Sequence, residues 1–267
     1  MDAKFSNQTE GNTALVTGAS GGLGKLFAEI HAARGGNLVL VARSEGKLAE
    51  LQSELQEKHK VHVTILPRDL STPTAGEELA EEIRGQGIQI DYLINNAGFG
   101  GHGPFIEREW QQDRSMILLN VLALTALTRE LAPAMVERGH GKILNVASAA
   151  AFIPGPLQAV YYATKAYVLS FSEALANELA DTGVTVTALC PGATKTGFAD
   201  RADAGATQAF SSAASADDVA KYGYEAMLSG KTVAVHGLQN KILLHGLIRF
   251  LPRWLITKIS RSTMEKG

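Results

Sequence analysis

Tyr161, Tyr162 and Lys165, in the stretch YYATK, put two phenols within one helical turn of an ammonium group. Residues three and four apart share a helix face, so Lys165 can lie over either tyrosine, and spacing alone does not choose between them. A free phenol titrates near ~10. It therefore moves protons poorly at neutral pH unless a cation beside it stabilises the phenolate. Lysine supplies that cation, and its ammonium can also hold sugar hydroxyls. Ser148, at the end of the apolar run KILNVAS, is the third candidate of this constellation.

A second feature lies near the start of the chain. TGASGGLG (17–24) follows an apolar run and precedes a helical period, and two readings compete for it. Gly18-Ala19-Ser20-Gly21-Gly22 matches G-x-S-x-G, the nucleophile elbow of a serine hydrolase, in which Ser20 would be the nucleophile. That reading needs a downstream acid and then a histidine, and the late histidines, His236 and His245, have no visible partner. The alternative takes Gly18, Gly22 and Gly24 as a phosphate-binding turn. Glycines there allow a tight turn, let backbone N–H groups approach a pyrophosphate, and let the helix pack close to the strand. The spacing is not G-x-G-x-x-G. After the second apolar run comes Arg43, where a dinucleotide fold preferring NAD usually carries an acid for the ribose. A guanidinium there can pair with a 2′-phosphate, so the expectation is NADP(H) over NAD(H). Against it, Arg43 can be a solvated loop cation, and Glu45 is near enough to serve a ribose.

Elements of one kind are needed to hold these residues. From Thr13 to Gly237, short β-branched runs alternate with helical periods: 13–18, 37–42, 61–66, 91–98, 142–148, 184–190 and 232–237 read as strands. Helices are expected near 23–34, 47–58, 109–138, 158–181 and 216–229, with a further one after 66. The strand runs are continuously apolar, as in parallel strands covered on both faces. The expected fold is a single α/β domain, a doubly wound parallel sheet of about seven strands, Rossmann-like. It spans residues 12–237, with a tail at 1–11, a long Gly/Ala/Ser/Thr-rich loop at 192–214 and an extension at 238–267. Loops of that length act as lids or are disordered.

The composition excludes other classes. Hydrophobic residues make up 45% of 267 and charged residues 19%, enough to build a large core. A net charge of -2 lacks the basic footprint that nucleic acid demands. Cys190 is the only cysteine, so neither a disulfide framework nor a CxxC metal site can form, and a reducing compartment is expected. No His spacing makes a metal site. The polar N-terminus does not read as a signal peptide, and no uninterrupted run of roughly 20 apolar residues is evident. A soluble, cytoplasmic protein is the resulting expectation.

The motifs together resemble the short-chain dehydrogenase/reductase family. The resemblance rests on TGASGGLG after the first strand, NNAG (95–98) after the fourth, Asn120 in the long helix, Ser148, YYATK, and PGATKT (191–196) after the sixth strand. In that family the tyrosine lies four residues before the lysine and thirteen after the serine, relations that Tyr161 satisfies. The resemblance implies that Tyr161 is the general acid in carbonyl reduction and the base in reverse. It implies that Lys165 lowers the tyrosine pKa and holds the nicotinamide ribose, that Ser148 stabilises charge on the substrate oxygen, and that Asn120 holds a water of the proton relay. Gly18, Ser20, Gly22, Leu23 and Gly24 would carry the pyrophosphate, with Arg43 and Asp69 at the adenosine end. Asn96 or its neighbour Asn95 would line the adenosine side together with Ala97 and Gly98. Pro191, Gly192, Thr194 and Thr196 would cover the nicotinamide. The implied activity is hydride transfer between NADP(H) and a carbonyl or secondary alcohol in a dimeric or tetrameric enzyme. A regulatory protein that binds dinucleotide without chemistry is the alternative, though it would need neither Ser148 nor Tyr161.

Other residues have plainer uses. Tyr162, Tyr167 and Phe171 read as packing or pocket wall, and Cys190 as a small buried hydrophobe. The extension is basic and amphipathic: Lys241, Arg249, Arg253, Lys258, Arg261 and Lys266 against Glu265, interleaved with apolar residues and broken by Pro252. It has three uses open to it: a wall for an apolar substrate, a subunit contact, or peripheral membrane contact through 241–261. An apolar carbonyl substrate, ketoacyl or steroid-like, is the corresponding expectation.

Overall fold

The β-branched runs form seven parallel strands, and the longer periods form the helices that cross between them. The computed structural model describes residues 9–198, 202, 205, 207 and 213–265, apart from the side chains of 239, 245, 247 and 249. Much of the predicted 192–214 loop, and residues 1–8 of the predicted tail, lie outside the described residues. In chain order come β1 (Thr13–Thr17), α1 (Gly22–Ala32), β2 (Asn37–Ala42), α2 (Glu45–His59), β3 (Val63–Pro67), α3 (Ala75–Gly85) and β4 (Tyr92–Asn95). They are followed by α4 (Trp110–Ile117), a π-helical turn (Leu118–Ala123), α5 (Leu124–Glu137), β5 (Gly141–Val146), α6 (Ala159–Glu178), β6 (Val184–Cys190), α7 (Ala216–Leu228) and β7 (Val233–Val235).

The strand order is β3-β2-β1-β4-β5-β6-β7, every pair parallel. Side chains alternate between the two faces of a strand. Val16, Leu38 and Leu40 pack under α1, α2 and α7 with Phe27, Leu51 and Met227. Leu15, Val39 and Leu93 pack under α3 and α5 with Leu79, Ile83 and Leu131. Both faces are therefore dry, which is why the strands read as unbroken apolar runs. The winding reverses between β1 and β4, so the loops after those strands diverge and leave a crevice at their carboxyl ends. The glycine turn and NNAG both lie there.

Two features depart from the sequence reading. The segment Trp110–Glu137 is long and apolar enough, by length and composition, to cross a membrane, and half of its most apolar window is buried within the fold. The charges of this stretch are Asp113, Arg114, Arg129, Glu130 and Glu137, and 115–128 between them is uncharged, though interrupted by Ser115, Asn120, Thr125 and Thr128. Second, that helical stretch is not regular. The extra residue of a π turn falls at 118–123, around Asn120.

Beyond β7, the extension forms α8 (Leu238–Ile242), a second π turn (Leu243–Leu247), α9 (Ile248–Phe250) and α10 (Arg253–Met264), with Pro252 at the start of α10. Ile256, Ser260 and Met264 are buried, a four-residue repeat that turns one stripe of α10 to the body.

Candidate active site

The glycine turn is shaped by its neighbours. Gly18 and Gly22 have φ of 68° and 54°, values that glycine adopts without penalty. A Cβ on Gly24 would collide with the Gly18 carbonyl oxygen, so α1 can start this close to β1 only with glycine there. Gly21 has open space where its Cβ would be, and the first N–H groups of α1 follow it. Such a helix start, without a side-chain cap and positively polarised, suits an anion. Ser20 and Leu23 are half-buried along the same turn.

Asn96 braces the turn from the side. Its Nδ2 donates to the Thr17 carbonyl at 2.9 Å, and the N–H groups of Asn96 and Ala97 both donate to Thr17 Oγ1 at 3.0 Å. Its amide is thus engaged in holding the loops after β1 and β4 together. Asn95 points elsewhere: it is buried and donates to Thr128 and Asn145, which in turn donates to Ser172. It belongs to a polar network beneath the sheet.

At the far end of the crevice, Asp69 follows β3 and Arg43 follows β2. Burial raises the Asp69 carboxyl, but Ser71, donating through N–H and Oγ, and the charge of Arg43 outweigh it and hold the group below its ordinary range. Arg43 itself is exposed, so its guanidinium is free to turn toward a ligand.

The other end brings Ser148, Tyr161 and Lys165 together, since β5 delivers the serine directly beside the first two turns of α6. Tyr161 is buried, and burial pushes its phenol upward while the nearby Ser148 hydroxyl opposes the shift. Ser148 also caps the short 3-10 helix Ala149–Phe152, its Oγ accepting from Ala150 N–H at 3.1 Å. Lys165 is buried with its Nζ donating to the Val146 carbonyl at 2.7 Å, and burial lowers its pKa to about 8. The ammonium lies 5.9 Å from the centre of the Tyr161 ring.

Asn120 reaches this centre because of the π turn. It pairs with the Phe99 backbone in both directions, Nδ2 donating at 2.9 Å and Oδ1 accepting at 3.2 Å, and it also donates to Thr164 Oγ1. A Cβ at Gly98 would sit 3.0 Å from Asn120 Oδ1 and 3.6 Å from Lys165 Nζ. Gly98 therefore leaves the space that keeps asparagine and lysine near each other.

The two tyrosines diverge. Tyr162 is also buried, but its ring packs on Gly155, and its phenol comes near Ser260 of α10. Burial raises the Tyr162 phenol and the nearby Ser260 hydroxyl opposes the shift, without a hydrogen bond between them. Tyr161 alone faces the serine. Tyr167 stacks on Phe171 and is well exposed, away from the centre.

Of the predicted nicotinamide cover, Pro191 ties β6 to the serine loop by accepting from Ala149 N–H at 2.8 Å. Gly192 packs against Asn240 of α8, Thr194 bridges to Ala214, and Thr196 stands 3.5 Å from where a Cβ of Gly22 would lie. The loop thus begins directly over the glycine turn. Cys190 is fully buried with its thiol pushed up to about 12, chiefly by burial, so it is inert packing. No cluster of three His, Cys, Asp or Glu that could hold a metal occurs among the described residues.

Several neighbours carry no motif. Phe198 packs on Tyr161 with ring centres 5.4 Å apart. Phe99, Met116, Ile153, Leu157 and Met264 continue the apolar lining around the phenol. The Met264 carbonyl accepts from His102 Nε2 at 2.7 Å, and Arg108, bound to the His102 carbonyl, forms a buried pair with Asp113 at 2.7 Å. The end of α10 is thereby fastened to the loop that borders the site. Sequence proximity could not reveal these partners, which lie up to 162 positions apart.

The seven-stranded doubly wound sheet thus gathers Ser148, Tyr161 and Lys165 at its carboxyl edge. The chain belongs to the short chain dehydrogenase family, whose model matches residues 12–207. It is 37% identical over 187 residues to a very-long-chain 3-oxoacyl-CoA reductase of Bos taurus, a match that covers 68% of this chain and 59% of that protein. Among solved structures it resembles a short-chain dehydrogenase from Sphingobium yanoikuyae in complex with NADPH, with 33% identity, a TM-score of 0.80 and coverage of 91% and 97% of the two chains. A short chain dehydrogenase/reductase from Burkholderia phymatum in complex with NAD superposes with a TM-score of 0.79 at 26% identity, covering 97% and 98%.

Proposed function

We propose that this protein transfers a hydride between a nicotinamide dinucleotide and the carbonyl or secondary alcohol of an apolar substrate. The observation that carries the reading is the meeting of Ser148 and Tyr161 against a buried apolar cluster, with Lys165 buried behind the ring. The bovine and Sphingobium relatives are, respectively, a reductase of a lipophilic oxoacyl thioester and an NADPH complex, and both support it.

The residues present fit the cofactor. The open face at Gly21 and the bare start of α1 suit a pyrophosphate, and Arg43 beside Asp69 suits an adenosine end bearing a 2′-phosphate. NADP(H) is accordingly the preferred form in this reading. When bound, the cofactor supplies or accepts the hydride.

The remaining steps belong to the chain. Burial keeps Tyr161 protonated at neutral pH, the form needed to deliver a proton to the oxygen of a ketone as it gains electrons. Ser148 donates to the same oxygen and stabilises its developing charge. Lys165, cationic below pH about 8, holds the ribose and stabilises the phenolate left after proton transfer. Asn120, bound to Phe99 and Thr164, fixes the loop that passes Lys165 and positions the route by which the proton is replaced. Phe198, Met116 and Met264 exclude water and favour an apolar body on the substrate. Through Met264, the inward stripe of α10 takes the part of a substrate wall.

The family resemblance supports assembly into a homodimer or homotetramer. A panel of ketones and 3-oxoacyl thioesters of increasing chain length, assayed with NADPH and NADH, tests the function. Consumption of reduced cofactor that rises with apolar length supports it, and no consumption with any carbonyl refutes it.

A further inference from the structure

We infer that the outward face of α10 and the corner before it dock on an anionic membrane surface. The inward stripe of α10 is Ile256, Ser260 and Met264, and the last of these packs in the apolar cluster around Tyr161. On the opposite side of the helix, Trp254, Lys258 and Arg261 are exposed. Immediately before it, Phe250 and Leu251 are exposed next to Pro252 and Arg253. Phe250 is 87% exposed and Trp254 68%, a cost in water that an isolated soluble surface has no reason to carry so close together.

Charge decides which partner fits. Residues 241–267 hold six lysines and arginines and one glutamate, in a chain whose formal net charge is -2. Glu265 neutralises part of this by accepting from Arg261 at 3.1 Å, which leaves Lys241, Arg253 and Lys258 among the described cations without an ion pair. Aromatic side chains that can enter the headgroup layer, ringed by cations, are the pattern of a helix that lies in the plane of an anionic bilayer. A groove of about 530 Å³ along the edge strand β7 repeats the pattern, with Val233, Val235 and Ile242 as walls and Lys231 and Lys241 at hand. An acyl chain with an anionic head matches those walls and charges.

The same helix then faces the membrane with one side and the substrate pocket with the other. This second point rests on the proposed function, because it assigns the pocket a lipophilic substrate that partitions into the membrane. The docking itself does not.

Sedimentation of the whole protein with vesicles of phosphatidylcholine, alone or mixed with phosphatidylserine, tests it. The wild type is expected to sediment with the mixed vesicles, less so as salt rises. Phe250→Ser with Trp254→Ser should weaken binding at least about tenfold, and Lys258→Gln with Arg261→Gln should abolish the preference for phosphatidylserine. Circular dichroism confirms that both variants stay folded, and their turnover of a short, water-soluble ketone should equal that of the wild type. Failure of the wild type to bind mixed vesicles overturns the proposal, as does unchanged binding by both variants. Conversion of an oligomer to a monomer by Phe250→Ser with Trp254→Ser, with vesicle binding intact, would assign the face to a second copy of the chain instead. Vesicle binding by a protein that reduces no carbonyl would leave docking standing and remove the functional reading.

Discussion

The Lys165 ammonium donates to the Val146 carbonyl at 2.7 Å, so the end of β5 fixes the cation beneath the Tyr161 ring. The contact is buried, and burial disfavours the charged form, which brings the lysine from 10.5 to about 8. Its charge is therefore present below pH about 8 and is lost above it. The rate constant kcat/KM for ketone reduction should fall with a single-proton slope above that value. A profile flat to pH ~10, near the ordinary lysine range, would show that the lysine charge is not used.

Arg43 carries the cofactor preference. If its guanidinium meets a 2′-phosphate, Arg43→Glu removes a charge-assisted bond and adds a repulsion. Such bonds are worth about 1.5–3 kcal/mol, or roughly ten- to hundredfold in kcat/KM for NADPH. The constant for NADH should stay the same or rise. An unchanged ratio of the two cofactors would return Arg43 to the role of a solvated cation.

Acid sensitivity is built into the opposite end of the molecule. His31 is fully buried, with Nε2 donating to the Asn12 carbonyl at 3.0 Å, so Nδ1 accepts from the Tyr224 hydroxyl at 2.6 Å. Burial, the largest influence, lowers its pKa from 6.5 to about 4. Between these values the unfolded chain binds the proton and the folded one does not. Stability from this group is thus present above pH 6.5 and lost as pH falls through 4, about 3 kcal/mol in all. His31→Gln should be less stable at pH 7 and show a shallower decline in urea midpoint over that interval. Parallel declines would contradict the account.

Much of this architecture is legible in the sequence, for reasons that differ by element. The runs Asn37–Ala42 and Val184–Cys190 emerge as strands residue for residue because both faces are buried and the pattern is uninterrupted. Gly18 and Gly24 are legible because no other residue fits where the backbone passes so closely. The π turn is not: Leu118–Ala123 contains no helix breaker, and what favours the bulge is the bonding of Asn120 to Phe99, a tertiary partner. Nor does the sequence place Met264 beside Tyr161, since the path of the extension depends on His102 and on Ile256 and Ser260 finding the body. Asn96 and Asn95, adjacent in sequence, point into different environments, and a choice between them required the register of β4.

The pair in YYATK is the most direct test. Ser148 stands near enough to the Tyr161 phenol to oppose the effect of its burial, whereas Tyr162 is turned toward Gly155 and α10. Turnover of an apolar ketone with NADPH should be compared for Tyr161→Phe and Tyr162→Phe at matched folded concentrations. Loss of the proton donor should lower kcat by about 10²- to 10⁴-fold in Tyr161→Phe, with Tyr162→Phe remaining within a few-fold of the wild type. Full turnover by Tyr161→Phe, or collapse confined to Tyr162→Phe, would contradict the assignment of the acid and with it the proposed mechanism.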